Sequence, residues 1–346
     1  MKHQTTRYGE IPFYKIGTFG NTADAFISKK LFLEYKTKYS FPKKGDILIS
    51  ASGTIGRAVI YDGKPAYFQD SNIVWIDNDE TLVKNDFLFY AYSNVKWNTE
   101  YTTILRLYND NFRNTLIPLP PLNEQIAIAN ILSGLDRYLC ALDSLIFKKE
   151  GVKKALSFEL LSQRKRLKGF NQAWQRVRLG DIANYLTSNL SAEQITQQGK
   201  IKVYDVNNFI GYTDTTFISD KPYISIVKDG SVGRVRILPP KTNILSTMGA
   251  LIANHKTTTE FLFYLLSNFD FKNFTSGSII PHIYFKDYKE KTIFLPPLNE
   301  QIAIANILSD LDNEIASLKN KKRQFENIKK ALNHDLMSAK IRVLKK

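Results

Sequence analysis

Two Pro-Pro pairs, Pro120-Pro121 and Pro296-Pro297, are where group-transfer chemistry would first be sought. An Asp/Asn-Pro-Pro-aromatic loop holds a target amine through a polar side chain and a backbone carbonyl. Here Leu119 and Leu122 flank one pair, and Leu295 and Leu298 the other, so the polar acceptor is missing. No phosphate-cradling Gly-x-x-x-x-Gly-Lys-Ser/Thr stretch occurs. Glu34-Tyr35-Lys36 fits a nuclease Glu-x-Lys fragment, but a three-residue match is common by chance. His3, His255, His282 and His334 lie far apart with no ligand spacing, and Cys140 is the single cysteine. A disulfide framework and a cysteine-based zinc cluster are therefore excluded. The sequence assigns no catalytic residue, no metal ligand and no cofactor.

The residues suited to recognition are of another kind. Base edges are read by Arg, Lys, Asn, Gln, Ser and Thr. Ser52-Gly53-Thr54-Ile55-Gly56-Arg57 combines small backbone, hydroxyls and a guanidinium, and Gly230-Ser231-Val232-Gly233-Arg234 repeats the arrangement. Ser52, Thr54, Arg57, Ser231 and Arg234 are candidate DNA contacts, with Gln69, Asn207 and Asn208 as weaker ones. The plain alternative is a tight turn with a solvated Arg. Trp174 reads as core rather than as a wedge between bases.

The elements that position these residues are set by a repeat. Residues 119–136 (LPPLNEQIAIANILSGLD) and 295–312 (LPPLNEQIAIANILSDLD) differ only at Gly134 and Asp310, 176 positions apart. Phe87-Leu88-Phe89-Tyr90 recurs as Phe261-Leu262-Phe263-Tyr264. Two copies of one scaffold with different surfaces should read two different ligands. Composition agrees with a folded chain: 43% apolar and 23% charged residues over 346 positions. The net charge of +15 favours nucleic acid or an acidic protein surface. No apolar run is long enough to cross a bilayer, residues 1–20 lack an export signal, and a cytoplasmic location is the default.

Each repeated block predicts a helix start. The Pro-Pro pair bars helix before it, Asn123 and Asn299 are candidate N-caps, and Glu124 and Glu300 suit the first turn. Ile128, Leu132, Leu135, Leu139 and Leu142 then follow a heptad, as do Ile304, Leu308, Leu311, Ile315 and Leu318. The alternative is an amphipathic helix lying on a globular core. Chain continuity makes the two helices antiparallel if their seams pair. A helix of roughly 40 residues would be about 60 Å long, about 18 base pairs of B-DNA, a ruler between two reading heads. The stretches 136–170 and 310–346 each carry a net +5. Arg164-Lys165-Arg166 with Lys168, and Lys321-Lys322-Arg323, could face phosphate; a solvated coil face is the alternative. Gly45–Ser50 and Asn72–Ile76 read as strands and Asn85–Val95 and Thr259–Phe269 as helices, making each globule α/β with a twisted mixed sheet.

The doubled LPPLNEQ block, each copy after a variable globule and before a long helix, resembles the specificity subunit of type I restriction–modification systems. Trp174 with Leu179-Gly180-Asp181-Ile182, and Gly45-Asp46-Ile47-Leu48, add to the likeness, which covers nearly the whole chain. It implies an α/β fold of two target recognition domains, joined by two long antiparallel coiled-coil helices as a pseudo-twofold tandem repeat. The expected parts are recognition domain one at 1–118, the first helix at 119–169, domain two at 170–294 and the second helix at 295–346. It implies a non-catalytic subunit that reads a bipartite, asymmetric double-stranded DNA target. Two modification subunits would dock on it and restriction subunits would join through them. S-adenosylmethionine, ATP and Mg, adenine-N6 methylation and endonuclease activity would belong to those partners. It also places Arg106, Asn109, His282 and Lys286 near DNA. One departure stands out: copy two opens with WQRVRLGDI (174–182), and copy one begins at a point resembling residue 200. Three explanations stand open: a start further upstream, a truncated or rearranged gene product, or another segment filling the gap, for which the strand-like tail Ile341–Leu344 is a candidate. A coiled-coil scaffold that reads no bases is the rival reading.

Overall fold

The structure is a computed structural model that describes residues 4–68, 72–97 and 106–344. It divides into two compact units, residues 1–143 with 320–346, and residues 144–319. In the first unit the chain runs β1 (Ile11–Tyr14), β2 (Ala25–Ile27), α1 (Lys29–Lys38), β3 (Ile47–Ser50), β4 (Ala58–Ile60), β5 (Tyr67–Phe68), β6 (Ile73–Trp75), α2 (Asn85–Tyr92) and α3 (Asn109–Arg113). It then enters α4 (Leu122–Leu161), whose last part belongs to the second unit. There follow β7 (Gln175–Arg178), β8 (Ala183–Thr187), β9 (Ile201–Tyr204), β10 (Phe209–Thr213), β11 (Tyr223–Val227), β12 (Val235–Leu238), β13 (Thr242–Ile244) and β14 (Met248–Ala253). The last elements are α5 (Thr259–Ser267), β15 (Thr275–Ser276), β16 (His282–Ile283), α6 (Phe285–Tyr288), β17 (Thr292–Leu295) and α7 (Leu298–Met337).

Each unit is α/β, and its strands form separate sheets rather than the one mixed sheet expected. β1 pairs antiparallel with β2 and parallel with β5, and β9 does the same with β10 and β13. The second sheet is antiparallel: β4-β3-β6 in unit one and β12-β11-β14-β8 in unit two. β3 and β11 are buried along their whole length, and apolar but for Ser50 and Ser225, because sheet neighbours and a helix cover them. The turn after each is fixed by a glycine. Gly56 and Gly233 both sit at φ 80°, and a Cβ there would come within 2.3 Å of the Trp97 ring and 2.6 Å of the Phe271 ring respectively. α2 and α5 then pack Phe87 and Phe261 into the two cores.

The long helices pair antiparallel inside each unit. In unit one the Tyr138 and Phe325 rings meet at a tilt with centroids 4.7 Å apart, Asp143 pairs with Lys322 at 2.6 Å, and Ile128 and Leu132 share a core with Leu336 and Met337. In unit two Lys149 pairs with Glu314 at 2.8 Å, Lys153 with Asp312 at 2.5 Å, and Leu160 shares a core with Ile304 and Leu308. Of the seam residues, Ile128, Leu132, Leu142, Ile304, Leu308 and Ile315 are buried. Leu135, Leu139, Leu311 and Leu318 are half-buried. The first turns thus serve both readings of the heptad, since Ile128 and Ile304 also face the α2 and α5 aromatics of their own unit.

Two local expectations are corrected. Asn123 and Asn299 are not N-caps: each lies inside its helix, because the Pro121 carbonyl accepts from Glu124 and Gln125 and the Pro297 carbonyl from Gln301. The tail Ile341–Leu344 forms no strand. It is the counterpart, 176 residues on, of the turn that ends α4: Gln163 and Ala339 hold φ 61° and 56°. Such left-handed residues close a helix and send the chain back along its own surface.

Candidate nucleic-acid interface

The repeated Glu-Gln of the LPPLNEQ block is structural in both copies. Gln125 donates to the Leu82 and Pro120 carbonyls at 3.1 and 2.9 Å and accepts from the Lys84 amide at 2.8 Å. Gln301 donates to the Lys256 and Pro296 carbonyls, both at 2.9 Å, and accepts from the Thr258 amide at 3.0 Å and the Thr257 hydroxyl at 2.9 Å. A buried side chain that satisfies three loop groups in one copy and four in the other fixes each globule to its helix. Glu300 accepts from Arg166 at 2.6 Å and from Trp174 Nε1 at 3.0 Å, and Glu124 accepts from Arg342 at 2.6 Å. A third repeated set joins Tyr90 to Asp136 and Lys329, and Tyr264 to Asp312 and Lys153. Burial and the neighbouring carboxylate push both tyrosines up, so they stay neutral donors. Tyr223, bonded to Thr242 in the second core, is pushed up to about 12 by burial.

Several candidate phosphate-facing cations of the helices have partners within the chain. Arg166 is consumed by Glu300 and Lys322 by Asp143 and Glu326. Arg164 lies over the Phe158 ring, Lys165 pairs with Glu159, Lys321 lies over Tyr138, and Arg323 bonds Asn320. Lys149, Lys153, Lys322 and Lys329 thus pair across the two long helices, while Arg164, Lys165 and Lys321 stay exposed.

Arg342 holds the Glu124 carboxyl below the usual carboxylate range. The sign follows: the stabilisation is complete above the ordinary carboxylate value and is lost as pH falls through the depressed one. Acidification through that window should release the tail. Amide exchange at residues 341–343 should quicken while residues 128–132 stay protected, and equal quickening at both would contradict the link.

The candidate reading residues fall into two matching frames. In unit one the turn after β3 carries Ser52, Thr54 and Arg57, and Ser52 forms a backbone bridge to Arg106. In unit two the turn after β11 carries Ser231 and Arg234, and Asp229 forms the corresponding bridge to His282. The frames are alike; the side chains are not. Ser52 donates to Asn72 at 2.8 Å and Arg57 to the Phe19 carbonyl at 2.9 Å, whereas Thr54 is exposed. In unit two Asp229 and His282 Nδ1 are 2.7 Å apart, Arg234 donates to the Asn207 side chain at 2.9 Å, and Arg236 donates to the Asn207 carbonyl at 2.8 Å.

Asn207 and Asn208 form the β9–β10 turn, where both amides bond Asp205 at 2.7 and 2.6 Å. Ser231 is exposed beside Arg234. Lys286, also exposed, lies over the Tyr284 ring at 5.5 Å. Asn109 is exposed at the start of α3, and Gln69 lies outside the described residues. The structure thus brings Asn207, Ser231, Arg234 and His282 to one frame and Ser52, Thr54, Arg57 and Arg106 to the other. Sequence reasoning missed Asp229 and Arg236. Asp229 opens the DGSVGR segment, and an acidic residue before a Gly-Ser turn is the signal that could have marked it. Among the described residues no group of three His, Cys, Asp or Glu side chains could hold a metal ion.

With the geometry in view, comparison with known proteins assigns the family. A model described as the type I restriction modification DNA specificity domain matches residues 1–146 and again 171–327. A Haemophilus influenzae protein named as a type I restriction enzyme specificity subunit is 65% identical over 137 residues, 39% of this chain and 36% of that protein. A Methanocaldococcus jannaschii protein named as the MjaX specificity subunit is 28% identical over 335 residues, 86% of this chain and 79% of that one. The chain thus spans little over a third of the first relative and most of the second. In fold, it is similar to the crystal structure of a type I restriction–modification S subunit from M. genitalium, with TM-score 0.65, 21% identity, and 97% and 91% of the two chains covered. The two matches cover most of the chain, one in each of the two halves that the frames define, and the chain belongs to the type I restriction modification DNA specificity domain family.

Proposed function

We propose that the chain is a DNA specificity subunit that reads a bipartite, asymmetric double-stranded target and scaffolds two modification subunits along its long helices. The observation that carries this reading is the pair of matched frames. Ser52 bridged to Arg106 and Asp229 bridged to His282 share one backbone arrangement and present different side chains. One fold presented twice with unlike contacts is what an asymmetric two-part sequence requires. Restriction subunits join through the modification subunits, and the S-adenosylmethionine, ATP and Mg chemistry of the assembled methyltransferase and endonuclease resides in those partners. The complex works in the cytoplasm; no described helix of this chain is long and apolar enough to cross a membrane.

A reading without base contacts has one specific observation in its favour: among the described residues the antiparallel sheet of unit one has three strands where that of unit two has four. Binding of the reconstituted complex to selected and random duplexes separates the two. Selected DNA should bind more tightly by about a thousandfold or more. Affinity should fall with added salt at a slope of roughly 0.9 per phosphate contacted. Equal affinity for both duplexes supports the scaffold reading.

A further inference from the structure

In unit two, main-chain bonds close the reading turn on both sides of one side-chain pair. The Gly230 amide donates to the Pro281 carbonyl and the Ile283 amide to the Lys228 carbonyl, both at 2.9 Å. Between these bonds Asp229 and His282 face each other, with the carboxylate Oδ1 2.7 Å from imidazole Nδ1. Their side chains are 30% and 35% exposed, so the pair is held in place and still reachable. The ring also packs against Gly277, which sits at φ 90°: a Cβ there would come within 3.1 Å of His282 Cδ2.

The Asp229 contact decides what the ring can do. A carboxylate only accepts, so Nδ1 carries the hydrogen. In the neutral ring this leaves Nε2 as a lone-pair acceptor. Nε2 has no hydrogen-bond partner among the described residues. Arg234 and Arg236 donate to the side chain and the carbonyl of Asn207 and can only donate. His282 therefore adds an acceptor to a frame whose arginines are donors.

The backbone bridge does not need the acid. In unit one the same bridge joins Ser52 to Arg106, and the Leu107 amide donates to the Ala51 carbonyl at 2.8 Å, as Ile283 does to Lys228. Ser52 stands where Asp229 stands in unit two, and its hydroxyl turns to Asn72 at 2.8 Å. The carboxylate is thus particular to the unit that carries an imidazole at the bridge.

We propose that His282 accepts, through Nε2, from an exocyclic amino group in the DNA major groove, adenine N6 or cytosine N4, and that Asp229 is the positioning residue that fixes this tautomer and ring orientation. The inference rests on the specificity reading above and adds the class of base edge that unit two takes at one position. Guanine and thymine present the acceptors O6, N7 and O4 in that groove, which a second acceptor disfavours.

The test uses the reconstituted complex with the full chain and duplexes carrying each of the four bases at every position of the unit-two half-site. Wild type should prefer adenine or cytosine at one position by about ten- to a hundredfold, and the four-base series tells the two apart. His282→Ala should erase that preference and leave the others. Asp229→Asn, which offers the ring a donor as well as an acceptor, should weaken the same preference at least about threefold and add nothing when His282 is already alanine. Hydrogen exchange at residues 224–227 should stay as in wild type; if His282→Ala speeds it, His282→Phe keeps the ring and removes both nitrogens in its place. The proposal is overturned by a preference surviving removal of the imidazole, by guanine or thymine as the base that depends on His282, or by an Asp229→Asn effect that persists without the imidazole. A wild-type complex that discriminates no sequence at all overturns the specificity reading itself.

Discussion

Trp174→Ala should cost unit two about 3–5 kcal/mol, the range for removing a large buried aromatic. Trp174 is 8% exposed, belongs to the same core cluster as Leu160, Ile304 and Leu308, and its Nε1 supplies one of the donors that hold the buried Glu300 carboxylate. The substitution opens a cavity and leaves that carboxylate with Arg166 alone. Trp174→Phe keeps most of the apolar contact and loses only the N–H, and should cost about 1–2 kcal/mol. Denaturant unfolding combined with hydrogen exchange separates the units, because residues 261–266 should lose protection while residues 87–92 keep theirs. A change below about 1 kcal/mol for the alanine variant would show that the indole does not anchor the unit.

Arg234→Ala should leave folding almost untouched and relax sequence choice in one half of the DNA target. Arg234 is exposed, it donates to the Asn207 side chain, and the Gly233 turn that carries it is held by backbone geometry rather than by the guanidinium. Stability should therefore shift by less than about 0.5 kcal/mol. A guanidinium on a guanine edge contributes about 1–3 kcal/mol of discrimination, so the preferred base at one position should lose roughly ten- to a hundredfold of its advantage. A uniform loss over all sequences would make Arg234 a phosphate contact instead. Its counterpart Arg57 donates to the Phe19 carbonyl, so Arg57→Ala should also loosen the loop of residues 15–21.

The difference between these two arginines marks the limit of sequence reading. The repeat revealed the two units, because near-identity over 18 positions needs no structure to interpret. Hydrophobic period revealed the long helices and their seam, since burial against any partner imposes the same stripe. Ile47–Ser50 and the α2 and α5 segments were legible for the same reason. What the period could not reveal is which polar groups meet. Glu300 finds Arg166 at a separation of 134 residues, and Glu124 finds Arg342 at 218. Those encounters are created by the antiparallel return of α7, not by local pattern. The Asn-Glu-Gln run therefore suggested an Asn cap, whereas the Glu and Gln carry the long-range bonds and the proline carbonyl starts the helix. The cross-helix pairs of Lys322 and Lys329 were illegible for a similar reason, because a lysine's partner on the facing helix cannot be read from its own neighbours. The reading frames were partly legible. Gly-Ser/Thr-x-Gly-Arg marked both turns, but only the fold shows Asp229 against His282 and Arg236 against Asn207.

The measurement closest to the central claim is methylation mapping of a genome that carries this chain with its partner subunits, before and after residues 170–294 are exchanged for those of another family member. The exchange replaces the frame formed by Asn207, Ser231, Arg234 and His282 and leaves Ser52, Thr54, Arg57 and Arg106 in place. The methylated motif should change in one half and keep the other half intact. A motif that stays the same in both halves, or changes in both, would contradict the assignment of one half-site to each unit.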